Sequence, residues 1–559
     1  MSAPLVVLKF GSSVLRSEAD LPAAVHEIYR WYRNGRRVIA VVSAFEGVTD
    51  ALLARARATD PDPEPHALAG FVATGEAATA QLLTLALTRA GVPAHALDPW
   101  HTGLRVQGPP LDATPSALDA TPLLWRLEER PVAIVPGFVG TGPDGLCLLG
   151  RGGSDLTAVF LAQRLRAERC LLLKDVDGLY ERDPALPGPR PRRYAEIPFD
   201  TALRLDGGIV QKKAIAFAQE RGQCFEVGAA GSEEMTLVGA ERVRLAESLP
   251  AVPLRVALIG AGTVGGGVLE HLRNQPDRFD IVGVSTRSSG PSPATLLQED
   301  FDVLVELTGA AAAGEWIRNA LRAGRDVVSA HKDLLAREVS DLEALASACG
   351  AKLRFSAAVG GAAPLLEAVS RARPQSFSAV LNGTTNFLLG RIEMGASLEG
   401  ALVQARNCGY AEADPSRDLD GRDAASKLAL LVRAAFGVSV QTDLIPRVLF
   451  DESLVQEARE AHASGKRLRI LARTERGPRG AQARLQAELL PQRHPLATLS
   501  GVECGMILAH QDGREERVTG RGAGRWPTAE AVLADLSDLL RRRVATQRLP
   551  SPAARLQAG

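Results

Sequence analysis

The most constraining stretch of this 559-residue chain is RVALIGAGTVG, residues 255–265. An apolar strand runs into Gly260-x-Gly262-x-x-Gly265, and a helical pattern (TVGGGVLEHLRN) follows at once. In that setting each glycine has a separate task. The first makes the turn, the second lets the backbone approach a pyrophosphate, and the third lets helix and strand pack closely. The free N–H groups of the helix start favour an anion. The reading is a Rossmann unit with Gly260, Gly262, Thr263, Val264, Gly265 and Thr308 at a dinucleotide; the alternative is a purely structural glycine turn. The next strand, FDIVGVST (279–286), ends without the acid that would bind the ribose 2′-OH of NAD. Arg287 follows, with Ser288 and Ser289, which favours a 2′-phosphate and hence NADP, with NAD possible. The alternative is a solvated loop arginine.

Composition narrows the class. Lys+Arg and Asp+Glu are both 65, so there is no bulk charge to hold nucleic acid or an anionic membrane, and 4% aromatic content disfavours a base-stacking surface. Apolar residues at 46% are ordinary for a globular protein. The six cysteines are scattered with no CxxC, so neither a disulfide framework nor a metal site is read. The start MSAPLVVLKFG lacks a basic n-region and a cleavage pattern, and no apolar run is long enough to span a membrane. A cytoplasmic enzyme with small-molecule substrates is expected. Only eight cations are Lys: Lys9, Lys174, Lys212, Lys213, Lys332, Lys352, Lys427 and Lys466. In so Arg-rich a chain a retained ammonium is mildly informative, because it is a compact, tunable point charge.

The periodicity resets near 240–253. Before it, LVVLKF (5–10), RRVIAVVSA (36–44), PVAIVPGFV (131–139) and CLLLKDV (170–176) read as buried strands; 21–33, 76–90 and 155–168 read as helices. Residues 58–66 and 183–193 are Pro-rich loops. Strands alternating with helices predict α/β layering with a largely parallel sheet. Later, 285–293 reads as a loop, 440–466 as helical, 467–520 as strand-rich, 528–543 as a closing helix and 548–559 as a frayed tail.

Past the glycine turn, VVSAHKDLLA (327–336), FSAAVGGAAPLLEAV (355–369), VLNGTTNFLLGRI (380–392) and GYAEADPSRDLDGRDAASKLALL (409–431) occur in order. HPLATLSGV (494–502) and GRGAGRWPTAEAVLADL (520–536) follow. This half, about 254–543, closely resembles homoserine dehydrogenase, an enzyme that reduces aspartate β-semialdehyde to homoserine with a nicotinamide cofactor. The residues fit that chemistry. Asp423 and Lys427 stand at i, i+4 on one helix face. An ammonium beside a nicotinamide can protonate the oxygen of a carbonyl undergoing reduction, with the carboxylate orienting it. The plain alternative is a surface ion pair worth about 0.3–0.5 kcal/mol. The resemblance implies that Lys427 is the proton-transfer lysine, that Lys332 lies by the nicotinamide and substrate, and that Glu412 holds the substrate ammonium with help from Asp418. Asn382, Gly383 and Thr384 form a polar turn able to bind the substrate. Ser356 stands where the family has an acid, which implies a weakened or absent monovalent-cation site.

In the first half, LVVLKFGSSV (5–14), VIAVVSAFEGVTDALL (38–53), TGEAATA (74–80), GRGGSDLTAV (150–159) and KDVDGLYERDP (174–184) together resemble aspartokinase, of the amino-acid kinase family. Lys9 beside Gly11, Ser12 and Ser13 suits phosphate, and Gly152-Gly153 ahead of a helix offers a second anion cradle. The resemblance implies Ser43, Thr49, Glu76 and Arg151 around aspartate, and Lys9, Gly11, Ser12 and Asp175 around ATP and Mg²⁺. This half departs from the family's pattern. KFGSSVL replaces KFGGTSV, Lys174 takes a threonine's place, and Ile209 takes that of the adenosine-side lysine, for which Lys212 or Lys213 are candidate substitutes. Two readings stay open: an active aspartate kinase, or an inactive kinase-like domain serving assembly. The regulatory ACT insert common in bifunctional relatives is missing between the halves, so weak or no threonine feedback is expected.

The organisation expected is α/β. An N-terminal amino-acid-kinase-like αβα sandwich (1–245) and a linker (246–253) come first. A Rossmann dinucleotide-binding domain (254–362), an α+β substrate and dimerisation domain (363–525) and a C-terminal helix with tail (526–559) follow. Assembly as a homo-oligomer, dimer or tetramer, is implied by the family.

Overall fold

The computed structural model describes residues 3–547 apart from 190, 206–207, 233, 248–251, 413 and 478–479. The frayed-tail expectation for 548–559, most of the linker and Gly207 of the GGIVQKK stretch therefore lie outside the described residues. The chain divides into two compact units, 1–89 with 93–250, and 90–92 with 251–559.

In the first unit the apolar run Leu5–Phe10 is buried at every residue, as a strand covered on both faces must be. It lies inside a nine-stranded sheet in the order Arg244–Leu245, Tyr194–Ile197, Thr236–Val238, Phe225–Ala229, Arg169–Lys174, Leu5–Phe10, Arg37–Val42, Val132–Pro136, Ala94–Ala96. The pairings from Phe225–Ala229 to Ala94–Ala96 are all parallel. Helices Gly153–Leu165 and Lys212–Arg221 bury Leu156, Val159, Ala214 and Ile215 against Val7, Ile39 and Leu172. The strands read from the sequence are observed within two residues, except that 131–139 breaks into Val132–Pro136 and Val139–Thr141, which belong to different sheets. One helix differs: it starts at Pro65 and runs to Ala90, not from 76. Proline is well suited to a first helical position, where its missing N–H has no partner to lose, so the end of the Pro-rich loop begins the helix.

The second unit opens with a five-stranded parallel sheet in the order Phe279–Ser285, Leu254–Ile259, Val303–Glu306, Asp326–Ser329, Leu353–Arg354. An antiparallel sheet follows, ordered Gly480–Pro491, Lys466–Gly477, Ser376–Val380, Glu503–Ala509, Glu515–Arg521. Within 440–466 only Glu452–Ala463 is α-helical, with a 3₁₀ turn at Thr442–Leu444. The closing helix, Arg525–Gln547, does not end in a separate layer: Ala529, Val532, Leu533 and Leu536 join Val256, Leu258 and Val268 in the core of the parallel sheet. Its apolar stripe is thus explained by the sheet it covers, far away in sequence. Among the described residues no helix is long and apolar enough to cross a membrane.

Candidate active site

The three glycines of the 260–265 turn occupy distinct environments. Gly260 has φ +99°, a left-handed conformation that disfavours a side chain. A Cβ on Gly265 would sit 1.8 Å from the Gly260 carbonyl oxygen, so helix and strand touch there. A Cβ on Gly262 would meet nothing within 4 Å, which leaves the helix start open to a ligand. Thr263 begins the helix Thr263–Arg273 and is exposed; Val264 is half-buried against the core. These features fit a dinucleotide held over the Thr263 end of the helix. Thr286 accepts from the N–H groups of Ser288 (3.3 Å) and Ser289 (2.8 Å), shaping a tight turn on which Arg287 is exposed. Thr308 donates its hydroxyl to Glu306 at 2.7 Å, and its N–H donates to the same oxygen at 2.7 Å. Glu306, fully buried, also accepts from Ser329 Oγ at 2.8 Å, and Ser329 Oγ in turn accepts from the His331 N–H at 3.1 Å. Glu306 and Ser329 were not picked out from sequence. They tie the loop of Thr308 to the residue before Lys332.

Lys332 starts the helix Lys332–Ala348 just past the strand Asp326–Ser329, at the carboxyl edge of the parallel sheet. Its ammonium forms a short ion pair with Asp423 Oδ1. Asp423 lies in the first turn of the helix Arg422–Phe436, whose start is set by Gly421 at φ +75°. Its other oxygen, Oδ2, pairs with Lys427 Nζ at 2.8 Å and accepts from Asn382 Nδ2 at 3.0 Å. Lys427 also donates to the Leu381 carbonyl at 3.0 Å. The Asp423–Lys427 pair is therefore not on the surface but deeply buried. Burial opposes the Asp423 charge, yet the two ammoniums outweigh it and hold its pKa well below the usual carboxylate range. Burial likewise opposes the Lys427 charge, but Asp423 outweighs it and keeps that pKa above the ordinary lysine value.

Asn382 caps the helix Gly383–Glu393, accepting from Thr385 N at 2.8 Å, and reaches Asp418 Oδ1 at 2.6 Å with the same amide that meets Asp423. Burial, with help from the Asp423 charge, raises the Asp418 pKa. A crevice beside this group is bounded by Asn382, Thr385, Asp418 and Gly421. Thr384 instead donates to the Tyr410 carbonyl at 2.8 Å, and Gly383 packs against Val502. Glu412 is exposed on the preceding loop, and no contact among the described residues brings it to the cluster. Ser356, from both its N–H (3.0 Å) and its hydroxyl (2.8 Å), donates to Asp535 of the closing helix. Among the described residues no group of His, Cys, Asp and Glu is arranged to hold a metal ion.

The first unit has its own cluster at the carboxyl edge of its sheet. Lys9 Nζ lies 2.8 Å from Asp155 Oδ1, and Lys174 Nζ lies 3.2 and 2.9 Å from the two Asp155 oxygens. Asp155 is the third residue of Gly153–Leu165, and its place in the GRGGSD motif does not by itself mark it as a site residue. Ser43 Oγ meets Ser154 Oγ at 3.0 Å. Glu76 accepts from the Ala44 N–H at 3.3 Å through one oxygen, while its other buried oxygen has no partner. Burial pushes the Glu76 pKa up to about 7. Gly11 is buried, Ser12, Arg151 and Asp175 are exposed, and Thr49 is half-buried. Lys213 is committed to Asp112, the Ala113 carbonyl and the Leu149 carbonyl, and Lys212 is exposed. Ile209 packs against the core.

A parallel sheet with an open glycine turn, carrying a lysine–carboxylate–lysine group at its edge, defines a nicotinamide-dependent oxidoreductase, here preceded by an amino-acid-kinase-like unit. The family models agree: residues 4–224 match the amino acid kinase family, 260–356 the NAD binding domain of homoserine dehydrogenase, and 363–537 homoserine dehydrogenase. The chain is 32% identical over 333 residues to homoserine dehydrogenase from Corynebacterium glutamicum, spanning 54% of this chain and 75% of that one. It is 30% identical over 316 residues to that of Neisseria gonorrhoeae, 52% and 73% of the two chains. The crystal structure of a homoserine dehydrogenase from Thiobacillus denitrificans superposes with a TM-score of 0.50 at 31% identity, covering 54% of this chain and 76% of that one. The chain belongs to the homoserine dehydrogenase family, with an amino acid kinase domain ahead of it.

Proposed function

We propose that the C-terminal unit reduces L-aspartate 4-semialdehyde to L-homoserine with NADPH, and that the N-terminal unit phosphorylates the side-chain carboxylate of L-aspartate with ATP and Mg²⁺, two steps toward threonine and methionine. The carrying observation is the Asp423 carboxylate, shared by Lys332 from the edge of the dinucleotide sheet and Lys427 from the substrate side. The nicotinamide, when bound, supplies the hydride to the aldehyde carbon. The chain's part is charge and proton handling. Two acceptors engage Lys427, Asp423 and the Leu381 carbonyl, which leaves a third N–H for the substrate oxygen. Because Asp423 keeps Lys427 charged, the proton is present when the oxygen becomes basic. Lys332 adds positive potential, and Asn382 fixes the carboxylate that both lysines use. Asp418 and Glu412 are the candidate partners of the substrate ammonium. Arg287 and the serines beside it favour the 2′-phosphate of NADP.

The test is NADPH oxidation with aspartate semialdehyde. Lys427→Ala is expected to lower turnover by orders of magnitude while NADPH binding persists; unchanged turnover removes Lys427 from this role. For the kinase, the orphaned Glu76 oxygen supports an ammonium-bearing substrate. A second reading, an inactive module serving assembly, is favoured by one observation, the packing of Ile209 into the core where relatives of the resemblance carry a lysine. Trapping aspartyl phosphate as the hydroxamate decides between them.

A further inference from the structure

The strand Val303–Glu306 ends in a carboxyl that is fully buried and makes no ion pair among the described residues. Its oxygens accept three hydrogen bonds instead. Oε1 takes the Thr308 N–H and the Thr308 hydroxyl, each at 2.7 Å, and Oε2 takes the Ser329 hydroxyl at 2.8 Å. A buried acid without a cation is costly, so this one is more readily explained by what it orients than by packing. Ser329 pairs with Glu306 across the parallel ladder, and its hydroxyl oxygen accepts the His331 N–H at 3.1 Å. That anchor holds one carboxyl oxygen in place and leaves the other facing Thr308. The Thr308 hydroxyl then has a fixed polarity. A hydroxyl has one hydrogen and two lone pairs. The hydrogen goes to Glu306, and one lone pair takes the Ala310 N–H at 3.1 Å. One lone pair remains on a half-buried side chain, so Thr308 can receive a hydrogen bond from a bound molecule but cannot give one.

The strand order decides what meets that lone pair. Val303–Glu306 lies beside Leu254–Ile259, on the side opposite Phe279–Ser285. A Cβ on Gly260 would fall 2.7 Å from Thr308 Cγ2, so the Thr308 loop packs on the first glycine of the turn. Arg287, the candidate for the adenosine 2′-phosphate, follows Phe279–Ser285, whereas Lys332 follows Asp326–Ser329 on the other side. With a pyrophosphate over the helix start, the adenosine half runs toward Arg287 and the nicotinamide riboside toward Thr308 and Lys332. That riboside carries donors, the ribose hydroxyls and the carboxamide N–H. We propose that Glu306 is a positioning residue for the nicotinamide end of the dinucleotide. It turns the Thr308 hydroxyl hydrogen inward, so that an acceptor is presented to a hydroxyl or amide donor of the riboside. This rests on the dinucleotide reading of the second unit and not on the identity of its aldehyde substrate. Glu306 acts only through Thr308.

The experiment titrates the full chain with NADPH by fluorescence. Adenosine 2′,5′-bisphosphate, which carries the Arg287 half alone, is the internal control, with thermal unfolding alongside. Thr308→Val removes the acceptor and Thr308→Ser keeps it. Glu306→Leu removes the carboxyl, and Glu306→Gln keeps an oxygen able to take both Thr308 donors. Thr308→Val and Glu306→Leu are each expected to weaken NADPH binding about tenfold, the worth of one protected hydrogen bond, with bisphosphate binding unchanged. Thr308→Ser and Glu306→Gln should bind like wild type. The double variant of Glu306→Leu and Thr308→Val should be no weaker than Thr308→Val alone, because the acid acts through the hydroxyl. The reduced 3-acetylpyridine analogue, which lacks the amide N–H, identifies the donor: a Thr308→Val loss that vanishes with it assigns the amide, and one that persists assigns a ribose hydroxyl. Equal NADPH affinity in Thr308→Val and wild type overturns the proposal. So does a parallel loss of bisphosphate binding, which marks general disruption of the sheet edge. Should Glu306→Leu unfold, Glu306→Gln decides: weakened NADPH binding there overturns the proposal, and retained binding beside an impaired Thr308→Val supports it. A wild type that binds NADPH but reduces no aspartate semialdehyde removes the substrate reading and leaves this test standing; one that binds neither NADPH nor NADH ends both.

Discussion

Glu76 should make aspartate binding to the N-terminal unit release a proton. Its carboxyl is buried in the helix Pro65–Ala90, with one oxygen on the Ala44 N–H at 3.3 Å and the other without a partner. Its pKa stands at about 7, against an ordinary 4.5, because burial penalises the charge. The folded chain thus binds more protons than the unfolded chain between these values, so stability falls as pH rises through that window and is flat above it. At about 1.4 kcal/mol per pH unit over this window, the loss comes to roughly 3–4 kcal/mol by pH 8. A substrate ammonium that meets the free oxygen restores the charge and offsets this loss. Aspartate affinity should therefore rise close to tenfold per pH unit from pH 5 to 7 and then level. Calorimetry in two buffers of different ionisation heat should count nearly one proton released at pH 6. Glu76→Gln should abolish the release, weaken aspartate binding at pH 8, and raise the stability of the ligand-free unit there by up to roughly 3–4 kcal/mol. A pH-independent affinity, or a Gln variant that binds aspartate like wild type, refutes the reasoning.

Asp423→Asn leaves the buried Lys427 ammonium without its counter-charge, beside the half-exposed Lys332; a loss of about 3–5 kcal/mol in the stability of the C-terminal unit, with turnover falling far more than NADPH affinity, is expected in chemical denaturation and single-turnover assays. The same cluster sets a pH window. Asp423, with its pKa depressed, contributes stability above the unfolded carboxylate pKa and loses it as pH falls; Lys427, with its pKa raised, contributes below the unfolded lysine pKa and loses it as pH rises. Lys427→Met should remove the alkaline limb of the stability profile. Arg287→Ala should reduce the preference for NADPH over NADH about tenfold, with little effect on NADH itself, as steady-state kinetics with both cofactors would reveal. Leu536→Ala, in the closing helix, should cost about 2–5 kcal/mol and weaken dinucleotide affinity, because that helix completes the core of the parallel sheet.

Local rules carried the sequence a long way. The run LVVLKF is buried throughout, which is why it reads as a strand without alternation. The glycine spacing at 260–265 encodes a turn whose three tasks are visible in the backbone and its clashes. What stayed hidden is what depends on residues far apart. The i, i+4 spacing of Asp423 and Lys427 says nothing of Lys332, 91 positions away, which the fold brings to the same carboxylate. Glu306 looks like any acid ending a strand until Ser329 and Thr308 are seen to converge on it. The closing helix reads as an independent amphipathic element because its partner sheet starts more than 250 residues earlier. For Glu412 the motif supplied a role that no contact among the described residues supports by itself.

Both units meet one electrostatic problem in the same way. In each, a lysine at the carboxyl edge of a parallel sheet and a second lysine share one buried aspartate on the first turn of a helix: Lys332, Lys427 and Asp423 in one, Lys9, Lys174 and Asp155 in the other. One buried carboxylate between two ammoniums holds a net positive charge in place without repelling the chain apart, and it fixes where that charge points. The surplus then falls to whatever anionic centre enters: an oxygen gaining charge as a carbonyl is reduced, or the oxygens of a phosphate. The two sheets differ in strand order and length, so the shared triad follows from what such an anion needs rather than from the topology that holds it.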